Sequence, residues 1–377
     1  MKVYINKISK FLPGKKISNN EMEEYLGKIK NNKSKARPIV LRNNGIKNRY
    51  YAIDKTQKST HSNAELTVEA IKQLQTKNFK LSDIELIACG TTSPDQLLPS
   101  HASMVHGLLK TGATEYASFG GSCNSGMLAM KYSYMSILSG NTQNAICTGS
   151  EKISSWLTSK NYDDEVNKLN QLESKPILAF SKEFLRWMLS DGSAAALLTN
   201  KPNKDKLSLE INWIEITSYA GEHETCMYAG GEKKENGSII PWRDFSEKEI
   251  SDNSIMTLKQ DTRQLGKSIV KLGAKFLKSV IKKQNFDINE ISWFLPHLSS
   301  MYFKTKIYDE MHKEGITIPE EKWFLNLPKV GNVGSASAYL MLEELFNSEK
   351  LKKGEKILVM VPESARFSYT YMLLTVV

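Results

Sequence analysis

Short apolar runs alternate with helical patterns along the first half of the chain, and this alternation limits the fold more than any other feature. Strand-like segments at 84–93, 115–120 and 144–151 are separated by helical patterns at 99–110 and 123–139. Strand–helix–strand units place helices on both faces of a sheet. The pattern therefore predicts an α/β fold whose sheet is covered on both sides.

The same rhythm returns after residue 200. Its strand and helix patterns lie at 207–219, 259–283, 292–297, 298–314 and 335–347, and two apolar strands close the chain. This recurrence predicts two similar halves, residues 1–200 and 201–377. The stretches 152–184 and 221–256 interrupt the rhythm, and we expect them to be excursions that line or cover a site.

Composition excludes several classes of protein. The 377 residues contain no apolar run of the roughly 18 to 20 residues that cross a bilayer. Charges interrupt the N-terminal segment where a signal peptide needs an apolar stretch, so we expect a cytoplasmic protein. The four cysteines show no CxxC spacing, which argues against a zinc site and against a disulfide framework. We expect no bound metal.

The net charge of +10 comes mostly from lysine. No basic cluster alternates with aromatic residues, so the sequence does not predict nucleic-acid binding. From Arg263, basic residues recur every three or four positions, opposite an apolar face. The pattern is an amphipathic helix with a basic stripe, which can be a solvated surface or can steer an acidic protein partner. The stripe comprises Arg263, Lys267, Lys271, Lys275, Lys278 and Lys282.

Cys123 lies in the stretch FGGSCNSGMLAM, between a run of small residues and a helical pattern. The unpaired N–H groups and the dipole of a helix N-terminus stabilise an anion, and the thiolate is the nucleophilic form of cysteine. We therefore expect a thiol that loses its proton readily, with the Cys123 amide as an oxyanion donor. The alternative is a buried packing residue, and for Cys89 and Cys147, in apolar strands, packing is the prediction.

Two polar residues in the second half follow strand-like or glycine-rich segments. His297 comes directly after SWFLP, and Asn332 lies in KVGNVGSASAYL. Taken alone, such a histidine is usually a capping or core residue, and an asparagine between glycines usually marks a turn. With Cys123, they become candidates for handling protons and charge.

At this point the sequence resembles the ketoacyl-acyl-carrier-protein synthase III branch of the thiolase superfamily. The motifs that carry the resemblance follow the family's order and span nearly the whole chain. They are GIKNRY (45–50), TTSPDQLLPS (91–100), the cysteine segment, LSDGSAAALL (189–198), LPH (295–297) and GNVGSAS (331–337).

The resemblance implies a five-layer αβαβα sandwich, a homodimer, no cofactor and a Cys–His–Asn triad of Cys123, His297 and Asn332. Cys123 would take an acyl group from a coenzyme A or acyl-carrier-protein thioester. His297 and Asn332 would bind the carbonyl of an incoming malonyl or β-ketoacyl thioester, and a carbon–carbon bond would form. Two alternatives remain: an acyltransferase to an oxygen or nitrogen acceptor, and a non-catalytic partner subunit.

The sequence departs from the family near its end. A glycine-rich loop is usual there, but this chain has VPESARFSY (361–369). Glu363 and Arg366 place charge near the expected pocket, or form a salt-bridged structural turn. This ending, with GEHET (221–225), is similar to a subgroup that closes cyclohexanedione or dialkylresorcinol rings. His223 and Glu224 are then candidates for the extra step.

Further ligand contacts follow from the resemblance. Arg49, within GIKNRY, is a candidate for a phosphate of the nucleotide or the carrier protein, or alternatively for a surface ion pair. Lys304 and Lys306, on the helix after His297, and Lys267 and Lys271 of the basic stripe are candidates for contact with an acidic acyl carrier protein.

Overall fold

A nine-stranded mixed sheet runs through the computed structural model, which describes residues 1–29, 34, 37–162 and 184–377. Short two-stranded ladders accompany it. The strands of the described residues are β1 (Tyr4–Phe11), β2 (Ile17–Ser18), β3 (Asn48–Arg49), β4 (Leu86–Thr91), β5 (Glu115–Gly120), β6 (Asn144–Glu151), β7 (Gly192–Thr199), β8 (Leu209–Ser218), β9 (Met227–Tyr228), β10 (Gly231–Lys233), β11 (Ile239–Pro241), β12 (Lys259–Gln260), β13 (Ile291–Pro296), β14 (Lys356–Glu363) and β15 (Ser368–Val376).

Helices cover both faces of this sheet. The α-helices of the described residues are α1 (Met22–Leu26), α2 (Arg37–Asn44), α3 (Asn63–Lys72), α4 (His101–Leu109), α5 (Ser125–Leu138), α6 (Ser154–Leu157), α7 (Glu247–Asp252), α8 (Thr262–Gln284), α9 (Tyr302–Lys313), α10 (Leu327–Val330) and α11 (Ser337–Phe346). Within the part of the chain that is described, no helix is both long and apolar enough to span a bilayer.

The sheet has two parts that meet at one narrow joint. Its strand order is β13-β14-β15-β8-β1-β7-β6-β4-β5. β1 and β8 pair over only two positions, Tyr4 with Glu210 and Ile5 with Leu209, whereas the other ladders of this sheet are longer. The strands before residue 200 therefore lie on one side of the joint and those after it on the other, while the division into halves 1–200 and 201–377 stays a prediction.

Alternate residues of one strand pack into different layers, as a sheet covered on both faces requires. In β4, Leu86 and Ala88 join a core that contains α5 and α11. Ile87 and Cys89 join a separate core with α3 and α4. β14 behaves likewise, with Val359 in the α5/α11 core and neighbouring residues packed towards α8 and α9. The layers are thus α3/α4, sheet, α5/α11, sheet and α8/α9, which confirms the predicted five-layer sandwich.

The central layer joins the two parts of the molecule through very close backbone contact. A Cβ atom on Gly126 or on Gly149 would overlap the carbonyl oxygen of Ser335. The Tyr339 hydroxyl donates a hydrogen bond of 2.8 Å to the Gly126 carbonyl. The start of α11 is therefore fixed against the start of α5, and with them the turns that precede these two helices.

The polar stretch 221–256 forms β9, β10, β11 and α7, and it ends beside β12. α8 begins at Thr262, later than the predicted start at 259, because Lys259 and Gln260 pair with β9 and Asp261 caps the helix by accepting from the Gln264 amide. Most of the other excursion, residues 163–183 of the stretch 152–184, lies outside the described residues.

Candidate active site

Cys123 lies on a tight turn between β5 and α5. The sequence predicted a helix from residue 123 with Cys123 in its first turn, but α5 begins at Ser125, so that Cys123 precedes the helix. β5 ends at Gly120, and Gly121 has φ 148°, a conformation that a residue with a side chain rarely adopts. Cys123 is half-buried, and the Ser122 hydroxyl donates to its sulfur over 3.7 Å. The other cysteines are buried, and Cys89 and Cys147 fill sheet positions as expected.

Cys123 and His297 line the same cavity, which lies where β5, β13 and β14 end. Most of the lining is apolar, and five of its twelve residues come from α8 and α9. The lining residues are Cys123, Leu265, Ile269, Val270, His297, Leu298, Ser299, Phe303, Ile307, Met360, Pro362 and Ser364. A reactive sulfur at the end of an apolar cavity suits a substrate with a hydrocarbon portion.

His297 is held in this cavity by the strand that precedes it. Its backbone amide donates a hydrogen bond of 2.8 Å to the Met360 carbonyl, which continues the β13–β14 pairing. Burial lowers the pKa of the imidazole to about 4. His297 is therefore neutral near pH 7, so that it donates one hydrogen bond without carrying a charge.

The Cys123 thiol differs from the prediction. Burial, and secondly the nearby Glu363 carboxylate, raise the pKa of this thiol to about 12. The expected stabilisation of a thiolate by the start of α5 is thus outweighed, first by the burial of the sulfur and secondly by the Glu363 carboxylate. Cys123 is a protonated thiol at neutral pH.

Asn332 lies in a buried turn before α11 and does not line the cavity of Cys123 and His297. Its amide donates to the Met188 carbonyl, and its own carbonyl accepts from Ser190. Its side-chain oxygen accepts from the Gly334 amide at 3.0 Å. The structure thus brings two of the three predicted residues to one cavity, and it gives Asn332 a role in forming the turn before α11.

Glu363 lies against the cysteine turn, at the end of β14. Its Oε2 accepts hydrogen bonds from the amides of Ser122 and Asn124, at 3.1 and 3.3 Å. Arg366 is exposed, and its Nε donates instead to the His223 carbonyl. Glu363 and Arg366 are both described, and they form no ion pair, so the alternative of a salt-bridged turn is wrong.

Arg49 has a different environment from the one predicted. It is fully buried, and its guanidinium donates to Asn19 Oδ1 at 2.7 Å and to the Trp187 carbonyl at 3.1 Å. It faces neither solvent nor the cavity, so its surroundings do not support contact with a phosphate, nor a surface ion pair. It connects three segments of the chain.

His223 and Glu224 lie on the excursion and outside the cavity lining. The His223 ring packs against Phe367 with ring centroids 5.1 Å apart. The Glu224 carboxylate pairs with Lys233 at 2.9 Å. Both residues thus have structural partners in the surface layer above the 361–367 segment.

The candidate lysines lie on the outer faces of the two helices that line the cavity. Lys267 and Lys271 are exposed on α8. On α9, Lys304 pairs with Glu320 at 2.6 Å, and the Lys306 ammonium lies 4.4 Å from the centroid of the Tyr302 ring. All four side chains therefore lie on the outer side of the two helices whose inner side lines the cavity.

Sequence reasoning missed Glu151, a buried carboxylate beneath the site. It accepts from the Thr92 and Ser93 side chains and from the Ser335 amide, so it ties the turn before α11 to β4 and β6. Burial raises its pKa. The sequence does carry a signal for this residue, because Glu151 is the one charged residue of the strand-like segment NAICTGSE. Among the described residues, no group of three His, Cys, Asp or Glu side chains is placed to hold a metal.

Comparison with known proteins agrees with this geometry. Residues 281–374 match the family model of the 3-oxoacyl-[acyl-carrier-protein] synthase III C-terminal domain. The β-ketoacyl-[acyl-carrier-protein] synthase III of Clostridium perfringens is 26% identical over 93% of this chain and 92% of its own.

Solved structures share the fold over the whole chain. Xanthomonas campestris OleA, solved with bound lauric acid and lauroyl-CoA, has a TM-score of 0.74, with 17% identity, 100% of this chain and 99% of that one covered. The tetronic acid condensing enzyme AbyA1 has a TM-score of 0.73, with 16% identity and 99% of both chains covered. The C-terminal match, the similarity along more than nine tenths of the chain and the shared fold show that this protein is similar to β-ketoacyl-[acyl-carrier-protein] synthase III and to other enzymes of the same fold.

Proposed function

We propose that the protein is a condensing enzyme that joins the acyl group of one thioester to the α-carbon of another. The observation that carries the proposal is the shared apolar cavity of Cys123 and His297. A cysteine able to hold an acyl group and a neutral hydrogen-bond donor then face the same substrate. The similarity to β-ketoacyl-[acyl-carrier-protein] synthase III and to a tetronic acid condensing enzyme supports the same chemistry.

In the first step, the Cys123 sulfur attacks the carbonyl carbon of an acyl thioester. The Cys123 amide stabilises the oxyanion, the bond to the donor sulfur breaks, and the thiol proton leaves with the released donor thiol. Because the free thiol is protonated at neutral pH, its proton departs during acyl transfer rather than before it. The product is an acyl-Cys123 thioester.

In the second step, a malonyl thioester loses carbon dioxide, or a β-ketoacyl thioester gives up a proton to water, to give an enolate. His297 donates to the enolate oxygen in its neutral form, and Asn332 is the proposed second donor. The carbanion attacks the acyl carbon, a carbon–carbon bond forms, and the Cys123 sulfur leaves and regains a proton. No charge on the imidazole is needed.

Intact-protein and product mass spectrometry test this proposal. Wild-type protein incubated with an acyl thioester is expected to gain one acyl group, and Cys123→Ala none. His297→Ala is expected to load but to condense roughly 10²- to 10³-fold more slowly. If free thiol is released without a carbon–carbon product, the acyltransferase alternative replaces condensation. An absence of acyl loading on the wild type favours the non-catalytic partner.

We also propose that the enzyme belongs to the ring-forming subgroup, whose products are cyclohexanedione or dialkylresorcinol precursors. The support is the replaced C-terminal loop, with Glu363 against the cysteine turn, and the excursion that packs over it. Incubation with paired acyl and β-ketoacyl thioesters is expected to give a cyclic product that keeps both ketone carbonyls of the open condensation product, and NMR spectroscopy identifies the ring. A linear β-ketoacyl product alone contradicts this assignment.

The carrier-protein contact is proposed at the outer faces of α8 and α9. These helices present Lys267, Lys271 and Lys306 to solvent, beside a cavity that their inner faces line. Charge reversal at Lys267 and Lys271 is expected to raise KM at least about ten-fold for acyl-carrier-protein substrates and to leave coenzyme A substrates unaffected. Reversal of the exposed Lys204 and Lys206 is the control, and equal effects from the two pairs contradict the contact.

A homodimer is proposed through the exposed edge of the sheet. β5 ends the strand order, and Tyr116 on it is 48% exposed, next to Met135 of α5 at 55%. A bare edge strand with exposed apolar neighbours is suited to pairing with a second copy. Light scattering is expected to give twice the 42.6 kDa chain mass, and the single mass for a Tyr116→Lys/Met135→Lys variant. A monomeric wild type contradicts the proposal.

A further inference from the structure

The Glu363 carboxylate occupies the backbone donors on both sides of the nucleophile. Its Oε2 accepts from the Ser122 amide at 3.1 Å and from the Asn124 amide at 3.3 Å. The amide between them, that of Cys123, donates to no carbonyl or side-chain oxygen of the described residues. The turn thus leaves the Cys123 amide available for a substrate carbonyl.

The position of Glu363 is fixed from outside the site. The loop between β14 and β15 is held by the excursion, because the amides of Cys226 and Met227 both donate to the Ala365 carbonyl, at 2.8 and 3.2 Å. The Ser364 hydroxyl donates to Gln260 Oε1. The excursion 221–256 therefore holds the loop between β14 and β15 in place, and with it the Glu363 carboxylate.

The charge of Glu363 is not neutralised where it lies. Arg366, the nearest basic residue in sequence, is turned away to His223. The ionisable groups facing Cys123 are Glu363 at the end of β14, Glu151 at the end of β6 and His297 after β13. The cavity residues of α8 and α9 are apolar. A carboxylate in such surroundings opposes the formation of a second anion on the neighbouring sulfur.

We propose that Glu363 is a positioning residue of this site: it fixes the amides beside Cys123 so that the Cys123 amide is free for substrate, and its charge restrains the thiol. Burial also raises the pKa of Glu363 itself, and the thiol shifts in the same direction with Glu363 as a cause. The inference rests on the proposed function in taking Cys123 as the nucleophile, but its test needs no thioester.

The test is the rate of Cys123 alkylation by iodoacetamide at several pH values, followed by intact-protein mass. Glu363→Gln keeps an oxygen acceptor and removes the charge. Its alkylation midpoint is expected to fall by about one pH unit or more, a roughly ten-fold faster reaction at pH values below the midpoint. The buried Cys89, Cys147 and Cys226 are expected to stay unmodified, and Cys123→Ala gives the background rate.

The matched control is Glu355→Gln. The Glu355 carboxylate also accepts from a backbone amide, that of Lys352 at 3.0 Å, but it precedes β14 at the end far from Cys123. This variant is expected to keep the wild-type midpoint. An unchanged midpoint in a folded Glu363→Gln protein overturns the inference, even if the wild type loads acyl groups. Faster alkylation in Glu363→Gln, with no acyl loading by the wild type, overturns the proposed function alone.

Glu363→Asp separates the positioning of the amides from the effect of the charge on the thiol. It also tests the inference if Glu363→Gln does not fold. The shorter side chain keeps the charge but is not expected to reach both amides. Alkylation at the wild-type rate, with a several-fold lower kcat for acyl loading and little change in KM, is the expected result. Loading at the wild-type kcat overturns the positioning role.

Discussion

The turns before α5 and α11 have similar local sequences but different chemistry. Each carries a polar residue shortly after a glycine, Cys123 two residues after Gly121 and Asn332 directly after Gly331, and each leads into a helix of the central layer. In the first turn, the Cys123 side chain lines the cavity, and the Glu363 carboxylate accepts from the neighbouring Ser122 amide. The second turn is buried, and the Asn332 side chain accepts from the backbone amide two residues later in the same turn. Local sequence thus determines the turn, while the neighbouring elements determine what the side chain can do.

The largest effect is expected from a substitution that disrupts the backbone contact between the start of α5 and the turn before α11. In Gly126→Ala, the new Cβ overlaps the Ser335 carbonyl, which is backbone and cannot move aside. The free energy of unfolding is expected to fall by about 3 kcal/mol or more, with weaker acyl loading because the Cys123 turn shifts. Chemical denaturation and intact-protein mass measure the two effects.

Gly107→Ala is the control for this substitution. Gly107 is also in a helix, α4, but a Cβ there meets nothing within 4 Å. The change is expected to be neutral or to stabilise by up to about 1 kcal/mol. Equal stability of the two variants would show that the contact between α5 and the α11 turn tolerates an additional methyl group.

The sequence predicted more of the fold than of the site. Alternation of apolar runs and helical patterns gave the covered sheet, and both faces of β4 are indeed packed. Hydrophobic periodicity reports burial directly, so such elements are readable from one sequence. The start of α8 was placed too early, because the pairing of Lys259 with β9 is a long-range contact.

Properties that depend on long-range neighbours were not readable. The thiol was expected to ionise easily from its place at the start of a helix, whereas burial, and secondly Glu363, 240 residues later in the chain, raise its pKa instead. Arg49 was a candidate for a phosphate contact or for a surface ion pair, but it is buried against Asn19 and Trp187. In both cases, the residue was singled out from the sequence, but the neighbours that determine its properties come from distant parts of the chain.

A smaller effect is expected at Asn332. Replacing it with alanine leaves the buried Gly334 amide without its acceptor, which is expected to lower the free energy of unfolding by about 1–3 kcal/mol. Acyl loading on Cys123 is expected to persist, because that turn does not contain Asn332. Asn347→Ala, at an exposed position after the same helix, is the control. If Asn332→Ala has the wild-type free energy of unfolding, the Asn332 side chain does not stabilise its turn. The structural contrast between the two turns would then be wrong.

The smallest expected effect concerns pH, and it compares two groups of one cavity. Burial keeps both neutral, by raising the pKa of Cys123 and by lowering that of His297 to about 4. Because the folded pKa of His297 lies below its ordinary value near 6.5, the unfolded chain binds the proton first as pH falls. The stabilisation is complete above pH ~6.5 and is lost progressively as pH falls towards ~4.

Denaturant unfolding at two pH values measures this contribution. Between pH ~7 and ~5, the wild type is expected to lose on the order of 1–2 kcal/mol more stability than His297→Asn, which has no group to titrate there. Some pH dependence is expected to remain in the variant, because burial also lowers the pKa of His101 to about 4. The same pH dependence in both proteins would mean that His297 is charged or solvated, and the neutral donor proposed for the enolate would then be lost.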